Sequence, residues 1–120
     1  MILFHIEINN IEVVIPKQTY ISVPLQVLHA GFRFRFADIK WQGYYQLKPT
    51  NIIDAAVIWQ KGSYVPGSLM CLSFQLKKAI PVGKMGVILT DNVKAYEWLR
   101  LARYDGRDLT IPYDSKNHVK

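Results

Sequence analysis

Thr19-Tyr20-Ile21-Ser22-Val23-Pro24-Leu25-Gln26-Val27-Leu28, then His29-Ala30-Gly31, then Phe32-Arg33-Phe34-Arg35-Phe36, is the stretch on which the fold turns. In its first part Ile21, Val23, Leu25 and Val27 recur every second residue, the period that sets one apolar strand face against a core. Pro24 lies on the opposite parity and has no amide to donate, which predicts an edge strand or a bulge. Gly31 breaks the segment. After it, strict alternation puts Phe32, Phe34 and Phe36 on one strand face and Arg33 and Arg35 on the other. If the guanidinium groups are solvated, the rings belong to the core.

Towards the N-terminus, Ile2, Phe4, Ile6 and Ile8 alternate with polar positions. Asn9-Asn10 has turn chemistry, and Ile11, Val13 and Ile15 alternate until Pro16, which together predict a first hairpin. Towards the C-terminus, Asp38 to Leu47, with Trp41, Gly43, Tyr44 and Tyr45, reads as a turn and a returning strand. Lys48-Pro49-Thr50-Asn51 reads as a stop followed by a helix-start signal, and Ile52 to Gln60 fits a short helix ending at Gly62, or a strand. Val65-Pro66-Gly67 is a turn and Ser68 to Leu76 a strand. Ile80 to Thr90 is apolar but interrupted by Pro81, Gly83 and Gly86, with Gly83-Lys84-Met85-Gly86 a turn or bulge leading into Val87-Ile88-Leu89.

The clearest helix starts at Asp91-Asn92 and runs to Arg103, because Ala95, Trp98, Leu99 and Ala102 fall at i, i+3, i+4 and i+7. Tyr104-Asp105-Gly106 closes it, a short strand Leu109 to Tyr113 follows, and residues 114–120 form a frayed tail. The resulting expectation is a strand-rich α+β domain over residues 1–113. Its mostly antiparallel sheet folds as a sandwich or partly open barrel, with one C-terminal amphipathic helix packed on it.

The 120 residues are 50% hydrophobic and 20% charged, enough to bury one core. Met1 to Glu7 has no basic leader or signal-like apolar run, and no stretch is long enough to span a bilayer. A soluble, cytoplasmic protein with no membrane partner is therefore expected. Fifteen Lys and Arg against nine Asp and Glu give a net charge of +6, which favours polyanionic partners.

Catalytic and metal-binding constellations are thin. Cys71, the lone cysteine, lies among Leu69, Met70, Leu72 and Phe74, surroundings that raise a thiol pKa and suit a buried structural residue better than a nucleophile. Neither Gly62-Ser63-Tyr64 nor Gly67-Ser68-Leu69 forms a G-x-S-x-G elbow. His5 with Glu7, or Asp105 with Asp108, supplies too few ligands for a metal, and no C-x-x-C or H-E-x-x-H occurs, so no cofactor or metal is expected. His29 has no acidic partner visible in sequence. Gly31-Phe32-Arg33-Phe34 lacks the second glycine or alanine of the aromatic RNA-recognition strand motif, and the element order differs from that fold.

Aromatic rings beside arginines remain the strongest functional signal, since rings can stack bases while guanidinium groups engage phosphates. The first reading is a non-enzymatic protein binding single-stranded nucleic acid. In it Arg33, Arg35 and Lys40, joined by Arg100 and Arg103, meet phosphates, and Trp41 with Tyr44 or Tyr45 stacks bases. The second is a protein-interaction module, such as an inhibitor, immunity factor or accessory protein of a phage or mobile element, acting through an edge strand or the same Trp and Tyr patch. The third is an enzyme whose site is either scattered, built from Asp105, Asp108 and an arginine, or assembled only across an oligomer interface. Exposed sheet edges make a homodimer a further expectation.

Overall fold

A computed structural model describes residues 11–111. The elements run β1 (Glu12–Pro16), α1 (Ser22–His29), β2 (Arg33–Ala37), β3 (Tyr45–Gln46), β4 (Ile52–Asp54), β5 (Leu69–Ser73), β6 (Gly86–Leu89) and α2 (Val93–Ala102). The fold is α+β, with two helices and two open sheets among the described residues. Strands β1 and β2 pair parallel, and the second sheet has the order β3-β4-β5-β6. Within it β3–β4 and β5–β6 are antiparallel but β4–β5 is parallel, so the expectation of a mostly antiparallel sheet is corrected to a mixed one.

The largest departure is at Thr19 to Leu28, read as an edge strand and found to contain α1. Parallel β1 and β2 cannot be joined by a tight hairpin and need a crossover, which the helix supplies. Pro24 stands at the third helical position, where an amide has no intrahelical acceptor, so the missing N–H costs nothing there. The burial follows the helical period: Pro24 and Val27 are buried and Val23 half-buried. Gly31 does not break a strand but ends the helix. With φ +81°, its amide donates to the Leu28 carbonyl at 2.9 Å and the Phe32 amide donates to the Val27 carbonyl at 3.1 Å. This is the Schellman closure, accompanied by burial of both Phe32 and Val27 in one cluster.

That cluster fills the space between β1, α1 and the second sheet, with Val13, Ile15, Val27, Phe32, Tyr45, Leu47 and Ile52 in it. Phe34 packs against its margin, as alternation required, but Phe36 is half exposed. A second cluster, Ile53, Ala55, Met70, Leu72 and Phe74, lies on the other side of β4 and β5. These two strands therefore bury both faces, Ile52 and Leu69 towards the first cluster and Ile53 and Met70 towards the second. Ile52 to Gln60 is accordingly a short strand followed by turns rather than a helix, and Lys48 to Asn51 is the connection between β3 and β4. Within it buried Thr50 donates its hydroxyl to the Leu47 carbonyl at 2.6 Å.

The C-terminal helix starts where its sequence indicates, with the Asn92 side chain accepting from the Ala95 amide at 3.1 Å. Its first turn is tied to the 65–67 turn by Asp91, whose carboxylate accepts from the Gly67 amide at 2.9 Å. Its predicted apolar stripe is the covered side of the helix: Ala95, Trp98, Leu99 and Ala102 are half-buried while Val93, Lys94, Tyr96, Glu97 and Arg100 are exposed, and none of the ten residues is fully buried. Leu109 to Ile111 forms a turn and bend instead of a strand. The predicted strand over Ile2 to Ile8, its Asn9-Asn10 turn and the 114–120 tail lie outside the described residues.

Candidate nucleic-acid interface

Strand register decides which of the sequence-predicted side chains meet. Glu12 is opposite Arg33 and Val14 opposite Arg35 across the β1–β2 pair. On the other flank of β1, Val14 forms an antiparallel bridge with Lys48, its amide donating to the Lys48 carbonyl at 2.8 Å. Directly opposed residues share a face, so Lys48, Val14 and Arg35 form one row, with Glu12 and Arg33 beside it. The row is about 10 Å across, from two interstrand spacings of about 4.8 Å. Val13 and Ile15, of the opposite parity, point into the core. The cationic row is thus on the outer face of the sheet, away from α1.

Arg33, Arg35 and Lys48 are exposed. The acid on this face, Glu12, accepts from Arg35 Nε at 3.1 Å, and both side chains remain about half exposed (45% and 57%). Such a pair is weak and easily exchanged for a better anion. Lys48 is the residue that sequence reading missed. Its partnership with Val14 joins positions far apart in the chain, and no local pattern announces it.

The aromatic candidates go elsewhere. Tyr45 is only 6% exposed and belongs to the first core cluster, so its ring is not available to stack a base, contrary to the sequence-based assignment. Trp41 packs on it with ring centroids 4.9 Å apart and donates its indole N–H to the Gln18 carbonyl at 2.8 Å. Tyr44 is 41% exposed and Lys40 is exposed in the loop just before Trp41. Arg100 and Arg103 are exposed on α2 and its C-cap as a separate basic group. Arg100 stands over the Tyr96 ring at 5.8 Å. Of the residues named for an enzyme, Asp108 lines a small depression near Arg100 and Arg107, and accepts from the Thr110 amide and hydroxyl.

The inner side of the second sheet carries a different set. Tyr45, Asp54 and Cys71 are consecutive cross-strand partners on β3, β4 and β5. The Tyr45 hydroxyl donates to Asp54 Oδ2 at 2.7 Å and is also hydrogen-bonded to Thr19 Oγ1, while Asp54 Oδ1 accepts from the Ala56 amide at 3.0 Å. Burial, reinforced by the bond to Asp54, pushes the Tyr45 phenol far above its usual range. Burial also pushes the Cys71 thiol up to about 11, with the Asp54 carboxylate adding to it. Cys71 is partly buried and unreactive in character, as its neighbours suggested.

Among the described residues no group of His, Cys, Asp and Glu is placed to hold a metal ion, and no helix is long and apolar enough to cross a membrane. No family model, curated protein or solved structure matches the chain.

Proposed function

We propose that this protein binds single-stranded nucleic acid, without catalysis, on the outer face of the β1–β2 sheet. The observation that carries the reading is the cross-strand row of Arg33, Arg35 and Lys48, brought together from separate parts of the chain and opposed, among the described residues, by Glu12. A flat, solvated, cationic sheet face follows a phosphate backbone without reading sequence, and the net charge of +6 steers a polyanion towards it. Tyr44 is the ring left for stacking, since Tyr45 is buried and Trp41 packs on it with its indole N–H bonded to Gln18. Arg33 and Arg35 are expected to contribute most, through paired N–H contacts to phosphate oxygens, with Lys48 a point charge at the end of the row.

Fluorescence anisotropy with short single-stranded DNA and RNA, from about 50 to about 200 mM salt, tests the reading. Wild-type protein is expected to bind saturably, with affinity falling as salt rises. In the variant carrying Arg33→Ala, Arg35→Ala and Lys48→Ala, the slope of log affinity against log salt should flatten by roughly 2, from about 0.7 per lost contact. Absence of saturable binding up to about 100 μM protein, the weak end of non-specific affinity, rejects the proposal. So does binding that the variant retains in full.

A further inference from the structure

The cleft beneath Trp41 is unused by the sheet-face reading. It opens between the start of α1 and the inner side of the second sheet, with a volume of about 590 Å³. A smaller apolar recess of about 320 Å³ adjoins it, reaching Val27, Ile52 and Cys71. Ser22, Val23, Asp54 and Ala56 line both, so the Asp54 carboxylate stands at the junction of the cleft and the apolar recess. Concave, mostly apolar space with a few convergent polar groups is the usual form of a small-molecule site.

The polar groups at the junction have a definite sense. Asp54 already accepts from the Tyr45 hydroxyl and the Ala56 amide, which fix the plane of the carboxylate. Among the described residues no Lys, Arg or His makes an ion pair with it, and each carboxylate oxygen has room for a further donor. Trp41 and Tyr20 line the mouth, and Tyr20 is 70% exposed, so an aromatic π-face is open to a ligand entering there. A fixed carboxylate, aromatic walls and an apolar recess together suit one chemical class.

We infer that the cleft binds an organic ammonium ion, the ammonium donating to Asp54 and its alkyl or aryl body lying between Trp41 and the apolar recess. Among the described residues Lys78 is the one cation lining the same mouth. Its charge opposes an entering ammonium, so it limits affinity and favours amines that also carry an anionic group. Tyr45 acts here as a positioning residue, holding Asp54 through its hydroxyl.

Phenethylamine, protonated at neutral pH, and phenethyl alcohol, its neutral counterpart of similar shape, are the probes. Binding is followed by calorimetry and by the indole N–H signal of Trp41 in NMR spectra, assigned with Trp41→Phe. The amine is expected to shift that signal saturably and to bind about tenfold tighter than the alcohol, as a charge-assisted hydrogen bond allows. Asp54→Asn should bring the two probes to equal affinity, and Lys78→Met should tighten the amine while leaving the alcohol unchanged. Should Asp54→Asn fail to fold, the wild-type comparison and Lys78→Met carry the test. Equal affinities for amine and alcohol in the wild type, or no shift of the Trp41 signal up to about 10 mM amine, overturn the inference.

Discussion

Glu12→Gln is the most informative single change on the cationic sheet face, because it should strengthen binding by removing a contact. Glu12 stands opposite Arg33 and accepts from Arg35 at 3.1 Å, with both members of the pair about half exposed. An exposed pair of this kind contributes about 0.2–1 kcal/mol, so folding stability should fall by about 1 kcal/mol or less. The effect on a bound polyanion has the opposite sign. Glutamine keeps the length and removes the charge, releasing Arg35 for a phosphate and lifting a repulsive carboxylate from beside Arg33. One further phosphate contact steepens the salt slope by about 0.7 for single strands. Over the roughly 1.3 decades between 1 M and 50 mM salt this amounts to about eightfold tighter binding at the lower salt. Anisotropy titrations of both proteins at four or five salt concentrations read slope and affinity together, and denaturant unfolding supplies the stability control. Unchanged slope and affinity in a folded Glu12→Gln variant would refute the reasoning, because they would mean that the ligand does not approach this face.

Two further outcomes test the fold and the inner cleft. Gly31→Ala should cost about 1 kcal/mol: the left-handed conformation at φ +81° penalises a Cβ by about 1–2 kcal/mol, partly offset by a stiffer unfolded chain, and no atom crowds the added methyl. A neutral or stabilising result in denaturant melts would contradict the Schellman closure of α1. The Cys71 thiol, pushed up from 9.0 to about 11, stays neutral in the folded protein at pH values where the unfolded chain ionises. Its contribution to stability is therefore complete below about pH 9 and lost as pH rises towards about 11, by about 2 kcal/mol. The stability difference between wild type and Cys71→Ala should shrink by that amount over this window, and a difference that stays constant with pH would show that the thiol is not held protonated.

How much could be read in advance depended on whether the deciding contact was local. The start of α2 was legible because an Asn92 cap acts on Ala95, within one turn, and β2 was legible because alternation is a property of neighbours. The segment around α1 misled for a specific reason: Val23 and Val27 satisfy both a period of two and an i, i+4 spacing, so burial alone fits either structure. The deciding signals were present but read with the wrong meaning. Pro24 belongs as naturally in a first helical turn as on a strand edge, and Gly31 as naturally past a helix end as at a strand break. What tips the balance is tertiary: β1 and β2 run parallel, a relation no local pattern encodes, and only a crossover can join them.

The same logic explains why the functional signal divided. Arg33, Arg35, Trp41 and Tyr45 lie close enough in sequence to suggest one surface on which arginines hold phosphates and rings stack bases. Parity and pairing separate them. Arg33 and Arg35 leave β2 on the parity opposite to Phe34, which packs on the core, whereas Tyr45 pairs with Asp54 on the core-facing side of β3 and draws Trp41 in with it. In place of the lost rings, the outer face gains Lys48 through its bridge to Val14, and the inner side gains Asp54 through its bond to Tyr45. One face therefore collects cations and the other a fixed carboxylate beside aromatic walls, surfaces suited to ligands of opposite charge. A polyanion on the outer face and an ammonium in the cleft need not compete for the same residues. Glu12→Gln should accordingly alter nucleic-acid binding without moving the Trp41 indole signal, and Asp54→Asn should do the reverse.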